Sequence, residues 1–128
     1  MEIKISVSIG ELIDKITILE IKSKKLKDKN KLENVNLELS VLNSVLVSNS
    51  LDESKIAKFK SQLKTVNLDL WEIEDSIRVF EKNKIFNEEF IQLARSVYIK
   101  NDLRFKIKNE INSTFNSKIV EVKDYENY

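Results

Sequence analysis

Apolar residues at Ile56, Phe59, Leu63, Val66, Leu70, Ile73, Ile77 and Phe80 recur at alternating spacings of three and four. That spacing keeps one stripe of a helix facing a partner, the geometry of helices packed lengthwise. No Gly or Pro interrupts the run. Ser50-Leu51-Asp52-Glu53 reads as a capping box. The spacing therefore predicts a coiled-coil-like third helix from about Ser50 to Asn83, ~45–50 Å long at ~1.5 Å per residue. A second strip, Leu68, Trp71 and Val79, lies off the main seam and calls for its own cover, which makes this helix the expected centre of the fold.

The remaining elements follow from the same reading. Ser8-Ile9-Gly10-Glu11 is another capping box, and Ile9, Leu12, Ile13, Ile16 and Leu19 share one face of the helix it starts. Ile18 and Ile21 lie off that face, so helix 1 is expected to be touched from two sides. The apolar column Leu32, Val35, Leu39, Leu42 and Leu46 is out of phase with it, which puts a break at Asp28–Asn30 and a second helix from there to about Ser48. Asn87 is placed to cap a fourth helix running to about Asn112 or Phe115, with Glu88 and Glu89 in its first turn. Ile3, Ile5 and Val7 alternate with polar residues, as do the residues from Ile119 to Tyr125. These two stretches predict a small two-stranded sheet tying the chain ends together. The expected fold is mainly α: one domain over residues 1–128, an antiparallel bundle of about four helices with a minor β pair.

Composition supports helix and removes several chemistries. The 128 residues include one Gly and no Pro, and helices avoid both. There is no Cys and no His, hence no disulfide, no thiolate metal site, no cysteine nucleophile and no imidazole base. Net charge is +1, which gives no general pull toward nucleic acid or an anionic membrane. No apolar run reaches membrane-spanning length and no secretory h-region is evident, so a cytoplasmic location is the default expectation. Lys22, Lys24, Lys25, Lys27, Lys29 and Lys31 crowd the end of helix 1, where the helix dipole favours cations. Interleaved aromatics that would stack on bases are missing there.

Polar residues in apolar columns are the candidate site. The inward stripe of helix 4, Phe90, Ala94 and Val97, continues in phase into Asn101, Arg104, Lys108 and Asn112, with Tyr98 beside them. On helix 1, Glu20 lies in the column of Ile9, Ile13 and Ile16. A buried charge needs a partner, so Glu20 is expected to meet Arg104 or Lys108. Such a cluster either fixes the register of the helices or lines a pocket for a small anionic ligand. Two acidic pairs, Glu11 with Asp14 and Glu72 with Asp75, place two carboxylates on one helical face each, and facing pairs can hold Mg²⁺. The arrangement is similar to that of the all-helical nucleotide pyrophosphohydrolases, which carry two adjacent Glu and a third three residues on. Glu11-Leu12-Ile13-Asp14 has one member of the adjacent pair, and Glu88-Glu89 is followed by Gln92, so the match fails at those positions. A helical mutase of the chorismate type clamps a dicarboxylate with several Arg, and the first Arg here is Arg78.

The stretches VSIGELIDKITILEIK (7–22), LWEIEDSIR (70–78), ARSVYIKNDLRFKIKNEIN (94–112) and VEVKDY (120–125) resemble a family of short bacterial and phage proteins known as a domain of unknown function. The resemblance implies one compact domain and brings no activity, cofactor or catalytic residue. Relatives of this kind often carry Pro near Lys29 and Gly near Asn116, and this chain has neither. The reading that results is a non-catalytic helical interaction or assembly protein, with a protein partner or a second copy of itself as its target. The alternative is a binder of a phosphorylated ligand or nucleotide, or a Mg-dependent helical hydrolase.

Overall fold

A computed structural model describes residues 1–128. It contains four helices: α1 (Ile9–Lys25), α2 (Lys29–Ser48), α3 (Glu53–Lys82) and α4 (Glu88–Thr114). Each begins the same way. The side-chain oxygen of Ser8, Asp28, Asp52 or Asn87 accepts the amide of the residue three positions on, satisfying one of the free N–H groups of the first turn. The start of α3 thus lies at Asp52, two residues beyond the Ser50 expected from its sequence. Ser50 belongs to the previous helix: with φ 51° it turns the chain out of α2 and donates its amide to Val47 O at 3.2 Å.

Helix ends are closed without glycine. Lys84 (φ 54°) and Asn116 (φ 52°) hold the left-handed position after α3 and α4. In both, the following amide reaches back to satisfy a terminal carbonyl, Ile85 N to Phe80 O at 3.0 Å and Ser117 N to Asn112 O at 2.8 Å. The single glycine, Gly10, lies instead where α1 crosses α4. A Cβ there would come within 2.6 Å of Lys108 O and 2.9 Å of Asn112 Oδ1.

The centre of the fold is α1, not α3. Between Ser8 and Ile21 only Lys15 is exposed, because α2, α3 and α4 all pack against α1. Its contacts with α4 run in opposite sense, Gly10 beside Lys108 and Asn112, then Asp14 beside Arg104. The helix α3 also runs against α4, Phe59 beside Phe115, then Asp69 beside Lys100 and Phe80 beside Phe90. So α1 and α3 point the same general way, a departure from the all-antiparallel expectation, and cross obliquely: Asp14 and Thr17 meet Asn67 while Glu20 reaches back to Lys60 and Lys64. Ile13, Phe59, Leu63, Val66, Ile107 and Ile111 form the buried core, with Phe115 edge-on to Phe59 at 6.1 Å between ring centres. The helix α2 lies along α1 alone, and only Leu46 in its last turn reaches that core.

Two regions depart from a closed bundle. The seam of α3 is buried at Phe59, Leu63 and Val66 but only half-buried at Ile73, Ile77 and Phe80. From Leu68 to Lys106 no side chain is buried. The second half of α3 and the first half of α4 form a two-helix arm extending past the end of α1. The chain ends make no sheet: residues 1–7 and 118–128 are without strand, and no backbone hydrogen bond joins them. A two-stranded ribbon is marginal alone, and here side chains make the connection. Ser117 Oγ accepts Ile9 N at 3.1 Å and donates to Ile119 O at 2.7 Å. Further along the tail, the Tyr128 hydroxyl donates to Asp102 on α4 at 2.7 Å.

Gly10→Ala tests the close crossing of α1 and α4. Alanine is ~1 kcal/mol better than glycine in a helix interior, yet the added methyl forces the crossing apart at a cost of about 1–3 kcal/mol. Urea unfolding should register a net loss of stability; a gain would show that the two helices stand further apart.

Candidate functional site

The polar residues of α4 converge on α1 as two layers. In the first, Asp14 is 1% exposed. Arg104 engages it with two parallel bonds, Nε to Oδ1 at 2.9 Å and Nη2 to Oδ2 at 2.5 Å. Such a fork is the strongest way a guanidinium holds a carboxylate. Asn67 on α3 donates Nδ2 to Asp14 Oδ1 at 2.9 Å and to Thr17 Oγ1 at 3.0 Å. Thr17 in turn donates to the backbone carbonyl of Asp14 at 2.7 Å. One carboxylate thereby binds three helices together. The hydrogen bond to Asp14 raises the Arg104 pKa above its ordinary value, against the opposing effect of burial.

One turn along, Lys108 has its ammonium 2.7 Å from both Glu11 on α1 and Glu121 in the tail. Burial alone would lower its pKa, but the bonds to Glu11 and Glu121 outweigh that and leave the pKa raised. Beside it, Asn112 Oδ1 accepts Gly10 N at 2.7 Å. With Ser8 and Ser117, this places a side-chain acceptor on each of the three amides that open α1. The Asn112 Nδ2 group is buried without a partner.

Of the residues predicted for the site, the structure brings together Arg104, Lys108 and Asn112. Glu20 lies elsewhere: its column faces α3, and it meets Lys60 at 3.1 Å and Lys64 at 3.8 Å. The reason is register. The Ile9–Ile13–Ile16–Glu20 column packs on α3, whereas Arg104 and Lys108 face the neighbouring column Gly10–Asp14–Thr17. Tyr98 is 43% exposed and stands edge-on to Tyr128 at 5.2 Å between ring centres. Asn101 is half-buried beyond Arg104 and makes no side-chain hydrogen bond. The four carboxylates considered for Mg²⁺ do not converge. Asp14 and Glu11 are taken by Arg104 and Lys108, and Glu72 and Asp75 are exposed on the arm. Nowhere do three His, Cys, Asp or Glu side chains gather to hold a metal ion.

Residues 3–128 match a family model described as a family of unknown function (DUF6165). The chain belongs to that family. The match takes in all four helices, both layers of the cluster and the tail, as the quoted stretches from Val7 to Tyr125 led one to expect. No curated protein and no solved structure matches the chain.

Asn67, Thr17 and Glu121 entered the cluster without being singled out from sequence. A signal for Thr17 was present: Gly10, Asp14 and Thr17 recur at four and three, a small and polar column on an otherwise apolar helix. That column matches the Arg104–Lys108–Asn112 column in antiparallel register. A cleft of about 410 Å³ opens beside the first layer, lined by Asn67 and Arg104 of the cluster together with Ile18, Ile21, Trp71 and Arg78. Electrostatically the cluster is already filled: Glu11, Asp14 and Glu121 supply three carboxylates to the two cations Arg104 and Lys108.

Two measurements follow. Asp14→Ala leaves Arg104 and Asn67 facing a buried void and should cost about 3 kcal/mol in urea unfolding. The double variant Asp14→Leu with Arg104→Leu should recover much of that, since it removes both charges. A single-variant loss below ~1 kcal/mol, or a double variant worse than the single, would refute this account of the pair. The second concerns pH. A raised Lys108 pKa means the folded state holds the proton more tightly than the unfolded chain. Its stabilisation is complete below the ordinary value of 10.5 and disappears as pH rises through the folded-state value. Lys108→Met should therefore flatten the fall of stability above about pH 10.

Proposed function

We propose that the protein is a non-catalytic interaction module and that the projecting α3–α4 arm is its docking surface. The observation that carries this is the unfinished packing of the arm. No side chain from Leu68 to Lys106 is buried, although the three-four seam continues through Ile73, Ile77 and Phe80. Two helices alone cover only one side of each seam; bundles complete the cover with a third and fourth helix. Around the tip, Val79 is 57% and Phe86 54% exposed, beside exposed Ile85 and Ile91. Apolar residues gathered on one projecting element mark a surface for another chain.

The charge balance of the polar cluster supports the same reading. An anionic ligand at Arg104 and Lys108 would have to displace carboxylates that already outnumber those cations. The cluster acts as the joint that holds the arm to the body, and the arm performs the docking.

The paired substitution Val79→Ser and Phe86→Ser should cost no more than about 1–2 kcal/mol of folding stability, the edge-on contact of Phe86 with Phe90 included. The same pair should remove the discrete adducts formed in cells by a photoactivatable residue introduced at Ile91. A loss of several kcal/mol would show that these side chains already serve the fold. Adducts unchanged by the pair, or none from Ile91, would overturn the arm as docking surface.

A further inference from the structure

The buried polar layer around Asp14 borders the cleft where α1, α3 and α4 meet. The cleft measures about 410 Å³, within the range of small-molecule sites, about 300–1,000 Å³. Asn67, only 6% exposed, forms part of its lining. The Asn67 Nδ2 group uses both of its protons, one on Asp14 and one on Thr17. The amide cannot be turned over. Asp14 is a carboxylate, and the Thr17 hydroxyl gives its own proton to a backbone carbonyl, so both call for a donor. Asn67 Oδ1 is thereby fixed as an acceptor, and no group of the chain donates to it. Arg104 lines the same cleft. Its Nε and Nη2 hold Asp14, and Nη1 has no partner. Asn67 Nδ2 and Arg104 Nε both lie 2.9 Å from one oxygen, Asp14 Oδ1, which keeps the two side chains next to each other. An idle acceptor on a buried side chain, beside an idle donor, calls for a partner from outside the chain.

The rest of the cleft selects what that partner carries. Ile18 and Ile21 of α1 with Leu70 and the half-buried Trp71 of α3 supply apolar and aromatic surface, on which a flat ring packs. Charge selects against an anion. Arg104 is neutralised by Asp14, and Arg78 by Glu74 at 3.4 Å. The exposed Asp75, also in the lining, has no cationic partner. One carboxylate is left over, an acceptor for hydroxyl groups and a repulsive neighbour for a phosphate.

We infer that this cleft binds an uncharged nucleoside: the base packs against Trp71, its donor–acceptor edge meets Asn67 Oδ1 and Arg104 Nη1, and its sugar hydroxyls lie toward Asp75. A base taken out of a stack is held in just this way, by hydrogen bonds to its pairing edge and by aromatic and apolar side chains on its faces. Binding displaces none of the ion pairs of the cluster, and the inference is independent of the arm as a docking surface.

Trp71 is the only tryptophan of the chain, so its fluorescence reports on the cleft. Titration of the full chain with adenosine, guanosine, cytidine and uridine should quench it for at least one of the four, with half-saturation below ~1 mM. Equilibrium dialysis of the same nucleoside, radiolabelled, should return the same affinity. Blocking the donor of the base by methylation, 3-methyluridine in place of uridine for example, leaves the protein untouched and should weaken binding at least ~10-fold. The corresponding monophosphate should bind more weakly than the nucleoside. Ile18→Phe fills the cleft from α1 without entering the polar cluster; it should abolish binding while circular dichroism stays that of the parent. Val79→Ser with Phe86→Ser should leave binding unchanged.

No quenching and no retention in dialysis for any of the four nucleosides up to ~5 mM would overturn the proposal and leave Asn67 Oδ1 to water. Binding indifferent to the methyl group would overturn the edge contact, and a monophosphate that binds more tightly would overturn the uncharged ligand. Binding that survives Ile18→Phe, or is lost in the Val79 and Phe86 variant, would overturn the cleft as its place.

Discussion

The buried carboxylate of Asp14 is the constraint on which the structure depends. A charge removed from water costs several kcal/mol unless it is matched, and every group that matches it comes from a different turn or a different helix. Arg104 arrives from α4, Asn67 from α3 and Thr17 from the next turn of α1. Hydrophobic burial would bring these helices together in many registers. The fork between Arg104 and Asp14 accepts one. Once it is made, Gly10 falls on Lys108 and Asn112, and the opening amides of α1 find their acceptors. The apolar core beneath, from Ile13 to Ile111, supplies the driving force. The polar layers supply the alignment.

Most helical boundaries were legible because capping is local chemistry. Ser8, Asp28 and Asn87 each start a helix where their sequence context placed them. The α3 start was displaced because Ser50 had two possible uses, and closing α2 prevailed over opening α3. The cluster was half legible. Column phase identified Arg104, Lys108 and Asn112 as polar residues pointing inward, but phase on one helix does not say which neighbour it faces. It is settled by which helix each column meets: the column of Glu20 meets α3, where it finds Lys60 and Lys64, and the column of Asp14 meets α4, where it finds Arg104. The expected pairing of the chain ends is not seen, for a related reason. Alternation describes a segment able to pair, whereas Ser117 and Glu121 satisfy their local needs through α1 and α4.

Stability is distributed unevenly as a result. The lower half of the molecule has the core, both polar layers and the tail bound across α4. Beyond the tail's Tyr128 on Tyr98 and Asp102 and the cleft with α1 at its base, the arm has the reciprocal packing of two helices, with Phe90 between Phe80 and Phe86 at its end. Regions with few buried apolar contacts open first in native-state exchange. An arm of this kind can change its splay while the body keeps its base in place.

The separation of Asp14 from Arg104 also governs how the protein is made. The two residues lie 90 positions apart, which is on the order of 5–20 s of synthesis at ~5–20 residues per second. Throughout that interval α1 has left the ribosome with its hub face apolar and its carboxylate unmatched. Its two long-range caps, Asn112 and Ser117, are made later still. At first only α2, which packs on α1 alone, is at hand to shelter it; α3 follows and brings Asn67 to Asp14 before Arg104 is made. The lysines crowded around the α1–α2 turn keep this partial structure highly charged until the counter-charge emerges.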